Sequence, residues 1–281
     1  MQYSRELSVR RWKNVTPMIE KVTCLILSCD KFSDLWDGNV RLFNRNWPDR
    51  GFETYIVTES MSDRRYPEVG IIAAGEHAEW SERLSVALDQ VKTEYVFITL
   101  DDYYLIQPVD AGRMAQMIAL MERGGYDYLR FFREPKRATG AELAGHEKVY
   151  HVDTSFMYSV NLYPGLWKKE FLAFALREPK SAWDFEVSLA GIAREFGAKC
   201  ICSYNDDYKI LDVVRKGKIL HAAQRYFKAN PGIYEGRRPV QTWSYEIGLW
   251  IKTLFSSHSP MWLYPYLKKI YCAFGGKSYS G

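Results

Sequence analysis

The stretch Tyr95-Val96-Phe97-Ile98-Thr99-Leu100, closed by Asp101-Asp102, constrains the chain most. The six residues are apolar or β-branched, too few for a helix, and read as a strand buried on both faces. Two carboxylates at the tip of such a strand repel each other unless something positive sits beside them. Oxygen ligands of this kind suit Mg²⁺ or Mn²⁺. The plain alternative is that Asp101 and Asp102 only start a turn.

What surrounds this strand follows a rhythm. Val22 to Ser28 is an almost wholly apolar run followed by Cys29, Asp30 and Lys31. Leu35 to Asn46 has helical spacing and stops at Trp47-Pro48. Phe52 to Thr58 is a second strand ending in Glu59, and Val69 to Ala73 a short third one. Ser81 is placed to cap a helix reaching Val91. Helical spacing over 108–123, a strand over 128–132, a charged loop over 133–148 and one or two strands over 149–160 follow. Leu162 to Trp167 reads as a turn, with a helix over 168–176 behind it. A helix opens at Ser181-Ala182-Trp183-Asp184-Phe185-Glu186 and ends at Gly197; a strand over 199–203 and a hairpin over 213–221 come next.

Strands alternating with helices through short connections predict an α/β fold, with a mainly parallel sheet flanked by helices. Ligands of such sheets gather at the C-terminal strand ends. That edge should hold Asp30, Glu59, Asp101 and Asp102. A helix that precedes a parallel strand starts at the same edge, so Trp80, Ser81 and Arg83 should face the crevice, where free N–H groups favour an anion. Acids for a metal or ribose, beside an arginine and a helix start for phosphate, suit a nucleotide diphosphate.

Composition limits the alternatives. The net charge of +4 is too small, and its basic residues too scattered, for a nucleic-acid surface. Five cysteines in no paired spacing argue for buried thiols in a reducing cytoplasm, not a disulfide framework. The first 21 residues read as a loose polar arm without a signal-peptide core, and no run of about 18 apolar residues suggests a membrane span.

The order of these features resembles a GT-A type (Rossmann-like) glycosyltransferase that uses a nucleotide-sugar donor. Val22 to Asp30 is similar to its first strand, Tyr55 to Ser60 to the second with its acid, Trp80 to Leu84 to the helix before the metal strand, and Leu100-Asp101-Asp102-Tyr103 to the Asp-x-Asp strand end. Trp183-Asp184-Phe185-Glu186 resembles the later acidic motif that carries the base of inverting members. The closest flavour is bacterial capsule, exopolysaccharide or lipopolysaccharide assembly. The resemblance implies a catalytic region over 22–235, its nucleotide-sugar half over 22–132 and its acceptor half over 133–235.

It also implies roles. Glu186 or Asp184 would take the acceptor proton, with Glu186 preferred because Ser181-x-x-Asp184 fits a helix cap. Cys29, Asp30, Glu59, Trp80, Ser81, Arg83, Asp101, Lys218 and Arg225 would line the donor, a UDP-linked sugar. Asp101, Asp102 and His221 would hold a divalent metal, and the basic residues around His221, with Arg215, Lys216, Lys218 and Arg225 among them, would compensate a leaving nucleoside diphosphate. Tyr103 stands where the family has its second Asp, which leaves a metal-free site as the other expectation. The acceptor would be a glycan or lipid-linked glycan.

Residues 236–281 form a C-terminal extension rich in aromatic residues. Beyond residue 239 there are four lysines and one acid, Glu246. Trp243, Ile247, Trp250, Ile251 and Leu254 share a helical face, and a second aromatic and basic segment spans 261–274. This composition suits peripheral contact with the inner membrane at its cytoplasmic face; packing as ordinary core is the alternative. Two other functions compete with transfer: a sugar-nucleotide pyrophosphorylase, and a binding module that kept the crevice without the chemistry.

Overall fold

A computed structural model describes residues 21–76, 79–204 and 206–258. The strands are β1 Val22–Leu27, β2 Thr54–Thr58, β3 Gly70–Ala73, β4 Tyr95–Leu100, β5 Tyr103–Leu105, β6 Tyr128–Arg130, β7 Thr139–Glu142, β8 Val149–Val152, β9 Gly165–Lys168, β10 Cys200–Ser203, β11 Ile210–Asp212, β12 Val214–Arg215 and β13 Lys218–Ile219. The helices are α1 Trp36–Asn46, α2 Trp80–Gln90, α3 Ala111–Gly124, α4 Lys169–Ala175, α5 Ala182–Phe196, α6 His221–Ala229 and α7 Trp243–His258.

Nine strands form one sheet in the order β3-β2-β1-β4-β9-β6-β10-β8-β7. β1 pairs in parallel with β2 and β4, and β2 with β3. This is the α/β sheet flanked by helices that the alternating pattern predicts, parallel through β3-β2-β1-β4. Successive residues of a strand face opposite sides, and the core divides accordingly. Cys24, Ile26 and Phe97 pack with Trp36, Phe43 and Met117 of α1 and α3. Leu25, Leu27, Val96 and Ile98 pack with Leu84 of α2, Phe171 of α4 and Phe185 of α5. Helices thus cover both faces, which is why β1 and β4 read as continuous apolar runs.

Four boundaries differ from expectation. Gly165–Lys168 is no turn: it is a strand lying antiparallel between β4 and β6. Gly165 makes that position habitable, since a Cβ there would meet Leu129 O at 2.7 Å. The 133–148 loop contains a 3-10 turn, Lys136–Ala138, and the edge strand β7. Asp110 caps α3, its side chain accepting from Arg113 N, so the helix begins after Pro108. Glu79 caps α2 in place of Ser81, through a reciprocal box with Glu82.

A small second layer sits above the C-terminal edge. β5 continues from Asp102 and pairs antiparallel with β11, which brings Asp212 opposite Tyr103. The β12–β13 hairpin follows. Tyr104, Val213, Ile219 and Ala223 bury this layer against Leu35 and Leu42. The 1–20 arm and the 261–274 segment lie outside the described residues.

Candidate functional site

The tips of β1 and β2 are joined by polar bonds. Asp30 opens a 3-10 turn after β1. Its carboxylate accepts from Thr58 Oγ1 at 2.7 Å and from the N–H of Ser60 at 3.2 Å. Partial burial opposes its ionisation, but these bonds outweigh it and hold the carboxyl below its ordinary value. Glu59 accepts the N–H of Asp30 at 2.6 Å through one oxygen. Its other oxygen lies 3.1 Å from Arg83 Nη1. Burial and the nearby Asp101 and Glu59 carboxylates push the Cys29 thiol up, away from a reactive thiolate.

The two aspartates diverge. Ser28 Oγ donates to Asp101 Oδ2, and Trp36 Nε1 donates to that same Ser28 oxygen at 2.6 Å. Asn39 Nδ2 donates to the Asp101 carbonyl at 3.0 Å. Burial and the adjacent Asp102 raise the Asp101 carboxyl well above its ordinary value. Asp102 meets the second layer instead. Val213 N–H donates to its carbonyl at 2.9 Å. Burial, then the neighbouring Asp212 charge, pushes its carboxyl up to about 7, against the pull of Arg215 and Arg238. Asp102 Oδ1 is buried with no hydrogen-bond partner among the described residues.

Arg215 stands between the acids. Its Nε donates to Asp212 Oδ2 at 2.7 Å, and its Nη2 lies 2.6 Å from the same oxygen. Its charge also acts on Glu186, whose Oε1 accepts the Leu162 N–H at 3.2 Å. Burial raises the Glu186 carboxyl; the Leu162 bond and Arg215 oppose the rise. Tyr163 stacks on Tyr103 with centroids 5.5 Å apart, and on Phe132 at 4.3 Å. Asp102, Asp212, Glu186 and two tyrosines therefore share one guanidinium. Such a site can bind an anion at Arg215 and keep a carboxylate of raised basicity beside it.

Asp184 is exposed and takes part in the helix cap. Ser181 Oγ donates to its carboxylate at 2.7 Å and accepts its N–H at 3.2 Å.

The start of α2 is not open to an anion. The N–H of Ser81 goes to the Lys180 carbonyl at 3.2 Å, and Ser81 Oγ accepts the Lys180 N–H at 2.6 Å. The N–H of Glu82 is held by Glu79. Trp80 packs on Phe185 at 5.2 Å. Arg83 is the counter-ion of Glu59. Sequence spacing cannot show that these donors already have protein partners.

His221 is likewise occupied. Its N–H donates to Glu246 at 2.8 Å, its Nδ1 lies 2.8 Å from the same oxygen, and its ring stacks on Trp243 at 3.7 Å. Among the described residues no three His, Cys, Asp or Glu side chains gather closely enough to hold a metal ion, so Asp101, Asp102 and His221 do not form one cage. Lys218 is half-buried, opposite Arg215 in the hairpin. Arg225 is exposed, one turn beyond His221.

Three participants were absent from the sequence-based set. Asp212 and Tyr163 arrive through β11 and the segment before β9. Arg238 donates to both oxygens of Asp34, at 2.7 and 2.6 Å, and its charge reaches Asp101 and Asp102. Of these, only Asp212 carried a local signal: it precedes the basic Arg215 by three residues.

No family model matches the chain, and no curated relative matches it. It is similar to several solved structures. S. aureus TarS shares 12% identity over 67% of this chain and 36% of that one, with a TM-score of 0.44. The chain thus spans about a third of that TarS structure. A UDP-glucose pyrophosphorylase complexed with UDP-glucose shares 12% identity over 67% of this chain and 91% of that one, TM-score 0.43. The bifunctional IspDF from Campylobacter jejuni shares 14% identity over 68% of this chain and 52% of that one, TM-score 0.41. Likeness this distant says nothing about individual residues at the sheet edge.

Proposed function

We propose that the protein moves a sugar from a nucleotide-sugar donor, UDP-linked, to a hydroxyl of a glycan or lipid-linked glycan acceptor, with inversion. The observation that carries this reading is Arg215, paired with Asp212 and acting by its charge on both Asp102 and Glu186, in the layer above the carboxyl ends of the parallel strands β1, β2 and β4. The setting in bacterial surface-polysaccharide synthesis rests on the resemblance of motif order alone.

The mechanism follows from charge. The acceptor oxygen attacks the anomeric carbon as the bond to the diphosphate oxygen breaks, and the bonding pair leaves with the diphosphate. Negative charge grows on that leaving group, and Arg215 and Lys218 compensate it. Glu186 accepts the hydroxyl proton; a raised carboxyl is the better base for that step. Asp30 and Glu59, at the tips of β1 and β2, border the nucleoside side of the edge.

A divalent ion fits here in one way. Mg²⁺ is commonly held by one or two carboxylates together with substrate phosphates. The unpartnered Asp102 Oδ1 would be one such ligand. When bound, an ion would neutralise diphosphate charge. His221 has no part in this arrangement.

The pyrophosphorylase alternative needs bare amides after β1 to cradle a triphosphate. Here the Asp30 N–H, in the turn after β1, is already given to the Glu59 carboxylate. The deciding experiment has two arms. Nucleoside diphosphate release is followed with a panel of nucleotide sugars, with and without acceptor glycans. UDP binding is measured calorimetrically with and without Mg²⁺. Pyrophosphate release, or no release with UDP bound, would replace transfer with one of the alternatives.

Membrane contact belongs to the same proposal. Among the described residues no helix is long and apolar enough to cross a membrane. Among the described residues α7 exposes Trp243, Ile247, Trp250 and Ile251. The helix is held down by Trp243 and Glu246 on His221 and by Lys216 over the Tyr245 ring at 5.2 Å. The segment's one acid is turned inward to His221, and its lysines suit anionic lipid at the cytoplasmic face of the inner membrane.

A further inference from the structure

Arg130 is fully buried, an expensive place for a guanidinium without a purpose. It is spent on loop carbonyls. Nη1 donates to the Ser159 carbonyl at 2.6 Å and to that of Tyr158 at 3.5 Å, while Nη2 donates to that of Arg133 at 3.2 Å. Asn161 Nδ2 adds a bond to the Tyr158 carbonyl at 3.0 Å. The loop is thereby pinned from beneath. Tyr158 sits at φ +63°, a region aromatic residues rarely adopt. This conformation accompanies a tilted contact between its ring and the Trp183 indole, with centroids 6.4 Å apart. Trp183 is still 45% exposed, and Met157 beside Tyr158 is exposed too.

The position of this pair matters. Trp183 and Glu186 are three residues apart on α5 and therefore neighbours, roughly 5–6 Å between Cβ atoms. The loop touches both: Tyr158 meets Trp183, and Leu162 donates to Glu186. A pyranose lying on the indole would lie one helical turn from Glu186. Sugar C–H groups carry partial positive charge and favour the electron-rich face of an aromatic ring.

We infer that Trp183 and Tyr158 form a stacking platform for a pyranose of the acceptor, so that the acceptor presents a carbohydrate at the reacting end. The inference rests on Glu186 lying at the acceptor side. The test is saturation-transfer NMR with UDP present. The probes are methyl α- and β-pyranosides of glucose, galactose, mannose and N-acetylglucosamine, with β-linked disaccharides of each. Wild type should saturate ring protons of at least one probe. Trp183→Ala should weaken that binding about 3–10-fold, and Trp183→Phe should recover part of it. Melting curves matching wild type confirm the fold of each variant, as expected for an exposed side chain. No saccharide signal in wild type, or an equal signal in Trp183→Ala, overturns the platform. UDP calorimetry on the same samples reports the donor side separately. If UDP fails to bind while the Trp183-dependent signal persists, the transfer reading falls and the platform stands.

Discussion

Arg215 and Asp212, three residues apart, are joined by two short contacts, Nε at 2.7 Å and Nη2 at 2.6 Å from one carboxylate oxygen. The other oxygen of Asp212 is buried without a hydrogen-bond partner among the described residues. One guanidinium therefore answers to Asp212, Asp102 and Glu186. Removing it leaves Asp212 without its counter-ion and takes a compensating charge from Asp102 and Glu186. Arg215→Met should lower turnover by at least ~10²-fold, the usual loss for one transition-state electrostatic contact. It should also lower the melting temperature, because breaking one partner of a half-buried pair strands the other. Asp212→Asn combined with Arg215→Met should restore much of the stability but none of the turnover. Equal recovery of both would make the pair a purely structural clasp.

Asp102 sets a pH dependence whose sign is fixed. Its folded carboxyl stands at about 7, against ~3.9 for an unperturbed aspartate. Between those values the folded chain holds a proton that the unfolded chain has released. Its contribution to stability therefore falls as pH rises from about 4 to about 7, and stays flat above. Asp102→Asn removes that dependence. The variant should melt above wild type at pH 8, and the gap should close toward pH 4. A gap independent of pH would show that Asp102 ionises normally in the folded chain. Asp101, Asp212 and Glu186 are shifted upward as well, so the difference between the two proteins is the quantity to read.

The α7 stripe gives a third test. Trp250 is 64% exposed and Ile247 lies one turn before it. Burying such side chains in the interfacial region is favourable, roughly 1.5–3 kcal/mol for each that is fully buried. Ile247→Ser with Trp250→Ser should reduce binding to phosphatidylglycerol vesicles by about tenfold or more. Wild type should bind phosphatidylcholine vesicles weakly, and salt should weaken the anionic binding further. If wild type sediments with neither vesicle, the stripe has another partner.

What the sequence shows of this fold depends on how locally each feature is determined. β1 and β4 are legible because burial on both faces writes an uninterrupted apolar run. The cap of α5 is legible because Ser181 and Asp184 are three residues apart. β9 is hidden: Pro164-Gly165 reads as a turn, while the glycine serves a close approach to Leu129. The expected phosphate role of Arg83 and Ser81 competes with Glu59 and Lys180, neighbours that spacing does not reveal. The cation beside the aspartate pair was anticipated as a metal. The structure supplies Arg215 and Arg238 there, brought in by β12 and by the segment before α7, far along the chain. Long-range polar pairing is what sequence patterns encode least, since any acid can meet any base once the core is formed.

The last test concerns Glu186 and Asp184, which separate chemistry from binding. Asp184 is exposed and bonded to Ser181 across the helix cap. Glu186 is half-buried, bonded to Leu162 and within the field of Arg215. A general base acts only in the chemical step and contributes typically ~10²–10⁴-fold. Glu186→Gln keeps the size of the side chain and the acceptor for Leu162 but cannot take a proton. It should lower kcat by that factor and leave donor affinity nearly unchanged. Asp184→Asn should leave kcat near wild type, at a cost of about 1 kcal/mol or less, since Asn still serves at a helix start. Turnover and donor calorimetry are measured for both. A dead Asp184→Asn that binds donor, beside an active Glu186→Gln, would exchange the two assignments. Normal turnover in both would move the base off α5 and remove the reason to place the acceptor against its first turn.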